Sequence, residues 1–169
     1  MKIRKYKLSD LAQLEALYRR FFIELRKKQG WKNPEISRKE AEEITSESIK
    51  NSWIFIAEEH SKLVGFSRIG NWEGTYFIRE VFVEESYRRI GVGSKLLVSC
   101  EKLVREKGEP SIFLTVEPKN SISINFLKSN GYDTLNMLEL RKDLPNKNVP
   151  EREDVTEILG NRFRLLKRS

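Results

Sequence analysis

Between Arg88 and Ser94 the chain combines formal charge with backbone freedom: Arg88 and Arg89, then Gly91 and Gly93, with an amphipathic helical pattern opening directly afterwards. Glycine lets consecutive backbone N–H groups approach an anion without a Cβ in the way. The N-terminus of the following helix adds partial positive charge, and the two arginines add formal charge. Those residue types in that order can hold a pyrophosphate, although a tight strand-to-helix turn with two incidental arginines would read the same. Spacing removes two competitors. A P-loop needs GxxxxGK[ST], but Ser94 precedes Lys95 and no glycine lies five residues before Gly93; a dinucleotide fingerprint needs glycine where Leu96 stands. The pattern that fits is Arg/Gln-x-x-Gly-x-Gly/Ala, met by Arg88, Gly91 and Gly93, with Val83 closing an apolar strand five residues earlier.

Other chemistry is sparse. Cys100 is the sole cysteine, which excludes an intramolecular disulfide and a cysteine zinc cluster; it falls among the apolar positions of a helix, as a buried structural thiol does. His60, the sole histidine, sits in the polar turn sequence EEHSK, so Ser-His-Asp chemistry and a metal site have little support. The net charge of +7 over 169 residues suits an anionic cofactor, a nucleic acid or an acidic surface. Lys and Glu alternate along ELRKKQ and RKEAEEI, as on a solvated face, and no nucleic-acid recognition motif is present. No apolar run has bilayer length, and no apolar segment follows the charges of MKIRKYKLSDLAQL; a cytoplasmic protein with neither membrane nor nucleic-acid partner is expected.

The elements that must position the glycine turn read as follows. Lys2 to Tyr6 is a short strand, Ser9 an N-cap, and Leu11, Leu14, Leu17, Tyr18, Phe21, Phe22 and Leu25 form a helical stripe. Gly30 and Pro34 interrupt, and Trp31 either lines an entrance or caps the core. Ser37 and Glu40 have capping-box spacing for a second helix to about Lys50. WIFIAEE, KLVGFSRIG and TYFIREVFVE then read as strands joined by short turns, in an antiparallel meander. A helix opens at Gly91 with Val92, Leu96, Leu97, Cys100, Leu103 and Val104 on one face and stops at Gly108. SIFLTVE is a further strand, a helix runs from near Asn120 to Asn130-Gly131, and Tyr132 to Lys142 is a last strand. The order β-α-α-β-β-β-α-β-α-β predicts an α/β (α+β) domain, a mixed and mostly antiparallel sheet flanked by helices. Past Leu144 the chain changes: LPNKNVPEREDV is a polar connector and ILGNRFRLL a short amphipathic end, so residues 1–144 are expected to form the domain and 145–169 an extension.

With VFVEESYRRIGVGSKLL followed by NSISINFLKSNGYDTL, the sequence resembles the GNAT superfamily of acyl-CoA-dependent N-acetyltransferases. In the second motif Asn120, Ser123, Gly131 and Tyr132 match or nearly match the family's Asn-x-x-Ala and Gly-Phe positions. The resemblance covers about Lys2 to Leu144 and implies acetyl-CoA as cofactor and an amine of a small molecule or protein as acceptor. It implies that the backbone of Phe82 and Val83 pairs with the pantetheine arm and that Arg88, Arg89, Ile90, Gly91, Val92, Gly93 and Ser94 surround the pyrophosphate. Asn120 and Asn125 are further cofactor contacts, with an exposed helix position the other reading of Asn125. The amine would attack the thioester directly in a ternary complex, the Val83 N–H polarising the carbonyl.

Glu80 is the candidate base on the central strand, or else a salt-bridged structural residue. Strand alternation places it with Ile78 and Phe82, opposite Arg79, Val81 and Val83. Many relatives carry the working carboxylate one residue earlier, where this chain has Arg79; ribosomal-protein acetyltransferases tend to have Glu where Thr115 stands. Glu117 and Tyr76 are weaker alternatives. Leu127 occupies the position where the family often has a proton-donating tyrosine, and leucine cannot donate. Hence a second reading, a GNAT-like domain that binds acyl-CoA without turnover. A homodimer is left open, and the sequence names no acceptor.

Overall fold

The computed structural model describes residues 1–50, 52–142 and 152–166, with the side chains of 152–154 and 166 left undescribed. Two compact units are present, Met1–Lys27 with Lys32–Thr115, and Lys28–Trp31 with Val116–Ser169.

The first unit is built on one sheet. Strands β1 (Lys2–Lys5), β2 (Ser52–Glu59), β3 (Lys62–Trp72), β4 (Thr75–Val83) and β5 (Phe113–Leu114) lie in sequence order; the first three pairings are antiparallel, and β5 joins β4 in parallel. The connections from β2 to β3 and β3 to β4 are tight because two successive residues accept positive φ, His60 and Ser61 (47° and 63°) and then Glu73 and Gly74 (49° and 85°). Such paired left-handed turns follow the right-handed strand twist and fix the register of the meander.

Helices α1 (Leu11–Lys28) and α2 (Arg38–Ile49) supply one covering layer. Leu14, Leu17 and Tyr18 of α1 are fully buried against Ile54, Ile56, Phe66 and Phe82, and Phe21, Phe22 and Ile44 pack at the margin. The Tyr18 and Phe66 rings are 4.4 Å apart, and Phe21 meets Phe82 at 5.8 Å. α3 (Val92–Glu106) covers the other face with the six apolar residues that its periodicity marks, all buried. Ser37 caps α2 as its spacing predicts, accepting from the Glu40 N–H at 3.1 Å. Ser9 is not the cap of α1: it lies inside a 3-10 turn, Leu8–Asp10, and the Asp10 carboxylate accepts from the Lys7 N–H at 2.8 Å. A carboxylate beats a hydroxyl here because Arg4 also holds it, through two bonds of 2.7 and 2.8 Å.

The face assignment along β4 changes. Arg68 pairs with Glu80 but Ile69 pairs with Ile78, so Arg79 is one residue extra on β4, a β-bulge. β3 alternates regularly, which sets Phe66, Arg68 and Gly70 on the α1 side and Ser67 and Ile69 on the α3 side. Glu80 and Phe82 therefore share the α1 side as expected, whereas Ile78 is turned to the opposite one. Strict alternation fails wherever two residues oppose one.

In the second unit, α4 (Ser121–Ser129) is capped by Asn120, whose side-chain oxygen accepts from the Ser123 N–H at 3.1 Å, and it ends at Gly131 with φ 87°. The strand expected over SIFLTVE shortens to Phe113–Leu114, and Tyr132 to Lys142 form no strand. Leu135, Met137 and Leu140 there are exposed, so the apolar spacing that suggested a strand has no partner to satisfy it. The connector LPNKNVPEREDV falls mostly outside the described residues. The end segment is instead half of a hairpin, β6 (Arg152–Ile158) and β7 (Asn161–Leu166), turned by Leu159 and Gly160 at positive φ. Among the described residues no helix is long and apolar enough to cross a membrane.

Candidate active site

β4 is the axis of the site. It pairs with β5 only at Phe77 and Ile78, so among the described residues no strand lies beside that edge of β4 from the bulge at Arg79 to Val83. A free strand edge is a row of backbone donors and acceptors ready for an extended ligand. Val83 lies at the end of that row, whereas the backbone groups of Phe82 face β3, on the same edge as the Glu84 N–H that bonds the Val64 carbonyl at 2.9 Å.

The chain then makes a 3-10 turn, Glu85–Tyr87, and enters the glycine segment. Arg89 and Gly91 are both left-handed, with φ 63° and 81°, and Gly91 is the N-cap of α3. A Cβ built on Gly91 would meet nothing within 4 Å, so what glycine supplies there is the dihedral angle and an unobstructed approach. The first intrahelical bond is from the Lys95 N–H to the Gly91 carbonyl at 3.1 Å. The amides of Val92, Gly93 and Ser94 thus precede it at the positive end of the helix. Arg89, Ile90 and Gly91 are exposed, and Ile90 at 63% is an apolar residue held out in solvent beside them.

Arg88, the first residue of the motif, is used inside the fold. Its Nε donates to the Val83 carbonyl at 2.7 Å, its Nη2 donates to Glu24 Oε2 at 2.5 Å, and its guanidinium lies 5.8 Å from the Phe82 ring centre. It ties α1 to the end of β4 rather than presenting a free charge. Glu84 is held similarly, by Arg20 at 2.7 Å and Lys62 at 2.9 Å. Between these groups is a cavity of about 550 Å³, floored by Phe82 and rimmed by Glu24, Glu85 and Arg88.

Glu80 sits on the α1 face two residues before Phe82, and Arg68 grips both its oxygens, Nε to Oε2 at 2.5 Å and Nη2 to Oε1 at 2.6 Å. The pair is mostly buried, with side-chain exposures of 19% and 14%. Burial works against the Arg68 charge, but the bonds and charge of Glu80 more than offset it and raise the guanidinium pKa. The Tyr18 hydroxyl is buried beside this pair and Ser48, and burial first, then the Glu80 charge, push its pKa up. Glu80 is therefore a salt-bridged residue that also borders the free edge of β4; each oxygen retains a second lone pair for a proton or a water. Arg79 is exposed, its guanidinium 5.1 Å from the Phe77 ring centre. Sequence reasoning passed over the Arg68 pairing, which cross-strand register alone could have shown.

The remaining candidates separate. Tyr76 lies on the α3 side of the sheet, its ring 5.8 Å from Trp53, away from Glu80. Cys100 donates to the Ser67 hydroxyl at 3.2 Å and is fully buried, which pushes its thiol up to about 12 and rules out a thiolate nucleophile at neutral pH. His60 is an exposed turn residue. In the second unit Asn120 is occupied as a cap, Asn125 is exposed, Leu127 is buried, and Trp31 is 54% exposed, so it does not cap a core. Among the described residues no group of three or more His, Cys, Asp or Glu side chains could hold a metal.

Residues 11–132 match the acetyltransferase (GNAT) family. The chain belongs to that family. An uncharacterized N-acetyltransferase of Bacillus subtilis (strain 168), YhfO, is 27% identical over 144 residues, covering 79% of this chain and 90% of that protein. Among solved structures, the aminoglycoside N-acetyltransferase AAC(6')-Iy in complex with CoA superposes with a TM-score of 0.65 at 19% identity, over 84% of this chain and 93% of that one. The aminoglycoside acetyltransferase meta-AAC0020 from an uncultured soil metagenomic sample, in complex with sisomicin, gives 0.64 at 21% identity, over 85% and 95%. At these identities the structures speak for the GNAT fold, a mixed and mostly antiparallel sheet with flanking helices. As an acetyltransferase of this family the protein uses acetyl-CoA as acyl donor.

Proposed function

We propose that the protein transfers the acetyl group of acetyl-CoA to a primary amine of a small molecule or protein by direct attack in a ternary complex. The observation that carries this is the free edge of β4, open from Arg79 to Val83 and leading into the unbonded amides at the start of α3. An extended pantetheine arm can pair with the first, and a pyrophosphate can sit on the second. Within this reading the backbone N–H of Val83 contacts the arm, with Phe82 next to it. Arg89 to Ser94 surround the pyrophosphate, and Arg88 shapes that loop from behind through Val83 and Glu24. Asn120 and Asn125 are assigned to the cofactor by the family motif alone. Residues 1–144 would form the transferase domain, with 145–169 as an extension.

In the transfer itself a neutral amine nitrogen bonds to the thioester carbon, the C–S bond breaks, and CoA leaves as thiolate. In this reading the Val83 N–H stabilises the oxygen on which negative charge develops. Glu80 takes the proton shed by the ammonium form of the acceptor, directly or through one water. With Leu127 in place of a tyrosine, water returns a proton to sulfur, which is tolerable because a thiol pKa near ~8.5 makes a fair leaving group.

Thiol release on mixing with acetyl-CoA and a panel of primary amines tests the proposal. Glu80→Gln, which keeps the shape of the Arg68 contact, is expected to lower kcat by about 10²-fold with acetyl-CoA affinity retained. An unchanged rate would remove Glu80 from the mechanism. Acetyl-CoA binding without thiol release from any amine would favour the non-catalytic acyl-CoA-binding reading, which Leu127 motivates.

A further inference from the structure

Building on the acetyltransferase reading and naming its substrate class, we infer that the acceptor is an amine that also carries a carboxylate, and that Arg79 holds that carboxylate. Arg79 is the extra residue of the β4 bulge, and the pairing of β4 with β5 ends at the residue before it. The bulge thus places a guanidinium at the mouth of the free edge, one residue from Glu80.

The fold makes room for this side chain. Gly70 on β3 is the partner of Phe77, and a Cβ there would fall 3.3 Å from Arg79 Nε and 3.6 Å from its Cγ, so the Arg79 side chain runs over it. Glycine in a strand interior marks close approach by another group, and here that group is the Arg79 stem. The Phe77 ring, 5.1 Å from the guanidinium, supports it from the same side. Held in this way, the planar fork loses little freedom when it binds a carboxylate bidentately. No carboxylate lies within ion-pair distance of Arg79 among the described residues, while Arg68 and Glu80 neutralise each other. The net charge on this stretch of the α1 face is therefore positive. A polycation would be repelled from it, whereas an amine with its own carboxylate could set that carboxylate on Arg79 and turn its nitrogen toward Glu80.

The test compares acceptors in the thiol-release assay: free amino acids and short peptides with intact carboxylates, the same compounds as amides, and the polycations kanamycin and spermidine. Carboxylate-bearing amines are expected to exceed their amides by about tenfold in kcat/KM, the scale of one charge-assisted contact. Arg79→Gln should raise KM for the acids by about tenfold, leave kcat within about twofold and erase the difference from the amides. Arg79→Glu should reverse the preference toward polycations. Whether free amino acids or peptides lead identifies the source of the carboxylate. Amides or polycations used as well as the acids would overturn the inference, as would an Arg79→Gln enzyme that keeps its preference, or acetyl-CoA bound with no carboxylate-bearing amine turned over. Thermal protection by acetyl-CoA is measured on the same samples; its absence would instead sink the cofactor reading, and this inference with it.

Discussion

Arg68, Arg79 and Glu80 are the residues on which the proposed transfer and acceptor preference rest, and their arrangement hangs on one inserted residue. Charge, the Arg/Gln-x-x-Gly-x-Gly/Ala spacing and the candidate carboxylate were all legible, because they are properties of residue type and order. The bulge was not, since it depends on the pairing of β3 with β4, and it reversed the face of Ile78 while leaving Glu80 where alternation put it. The Arg68–Glu80 pair was hidden for the same reason: its members are twelve residues apart and meet only across strands. Cys100 was read correctly because helical periodicity places it among apolar neighbours, and its packing gives a sharp expectation. With the thiol pushed up to about 12, alkylation of the native protein at pH 8 should be far slower than that of a free thiol and should reach the free-thiol rate only on unfolding. Rapid native labelling, read by mass spectrometry, would contradict the packing described here.

Elements with strong local signals appeared as expected. α1, α2, α3 and the three meander strands have apolar periodicity matched to their type, and turns or caps that agree with it. The misses share a cause, a dependence on partners distant in sequence. β5 pairs with β4 over two residues only, and Tyr132 to Lys142 remain irregular despite strand-like residues. The start of α1 shows how a buried network overrides a local signal. Arg4 binds Asp10 twice and Glu58 at 2.5 Å, and its bonds are the chief cause that holds the Asp10 carboxyl below its usual range. A carboxyl with a depressed folded pKa contributes stability that is present above its unfolded value near ~3.9 and lost as pH falls through the folded value. Asp10→Asn is accordingly expected to cost about 2 kcal/mol at pH 7, with the gap from the parent protein closing below about pH 4. Denaturant titrations at several pH values would show it; a gap independent of pH would contradict the assignment.

For the whole molecule, the order of elements indicates the fold class and the two motifs resemble the GNAT family, to which the match over residues 11–132 assigns the chain. What neither composition nor family provides is the acceptor, which the proposal above ties to the charges that the β4 bulge turns outward. The net charge of +7, open to several partners at first, is accommodated by an anionic cofactor together with a site whose uncompensated charge is positive. The proposed acetyl-CoA cradle is the free edge of β4 followed by the α3 amides. Thermal unfolding with and without acetyl-CoA tests it most directly. Ligand at a hundred times its Kd adds about 2.7 kcal/mol, which for a domain of this size raises the midpoint by roughly 5–10 °C. That rise is expected for the parent protein and should be much smaller for Gly91→Ala, whose methyl strains the left-handed turn and intrudes where the pyrophosphate would sit. A folded parent protein whose midpoint does not move would contradict acetyl-CoA binding at this cradle.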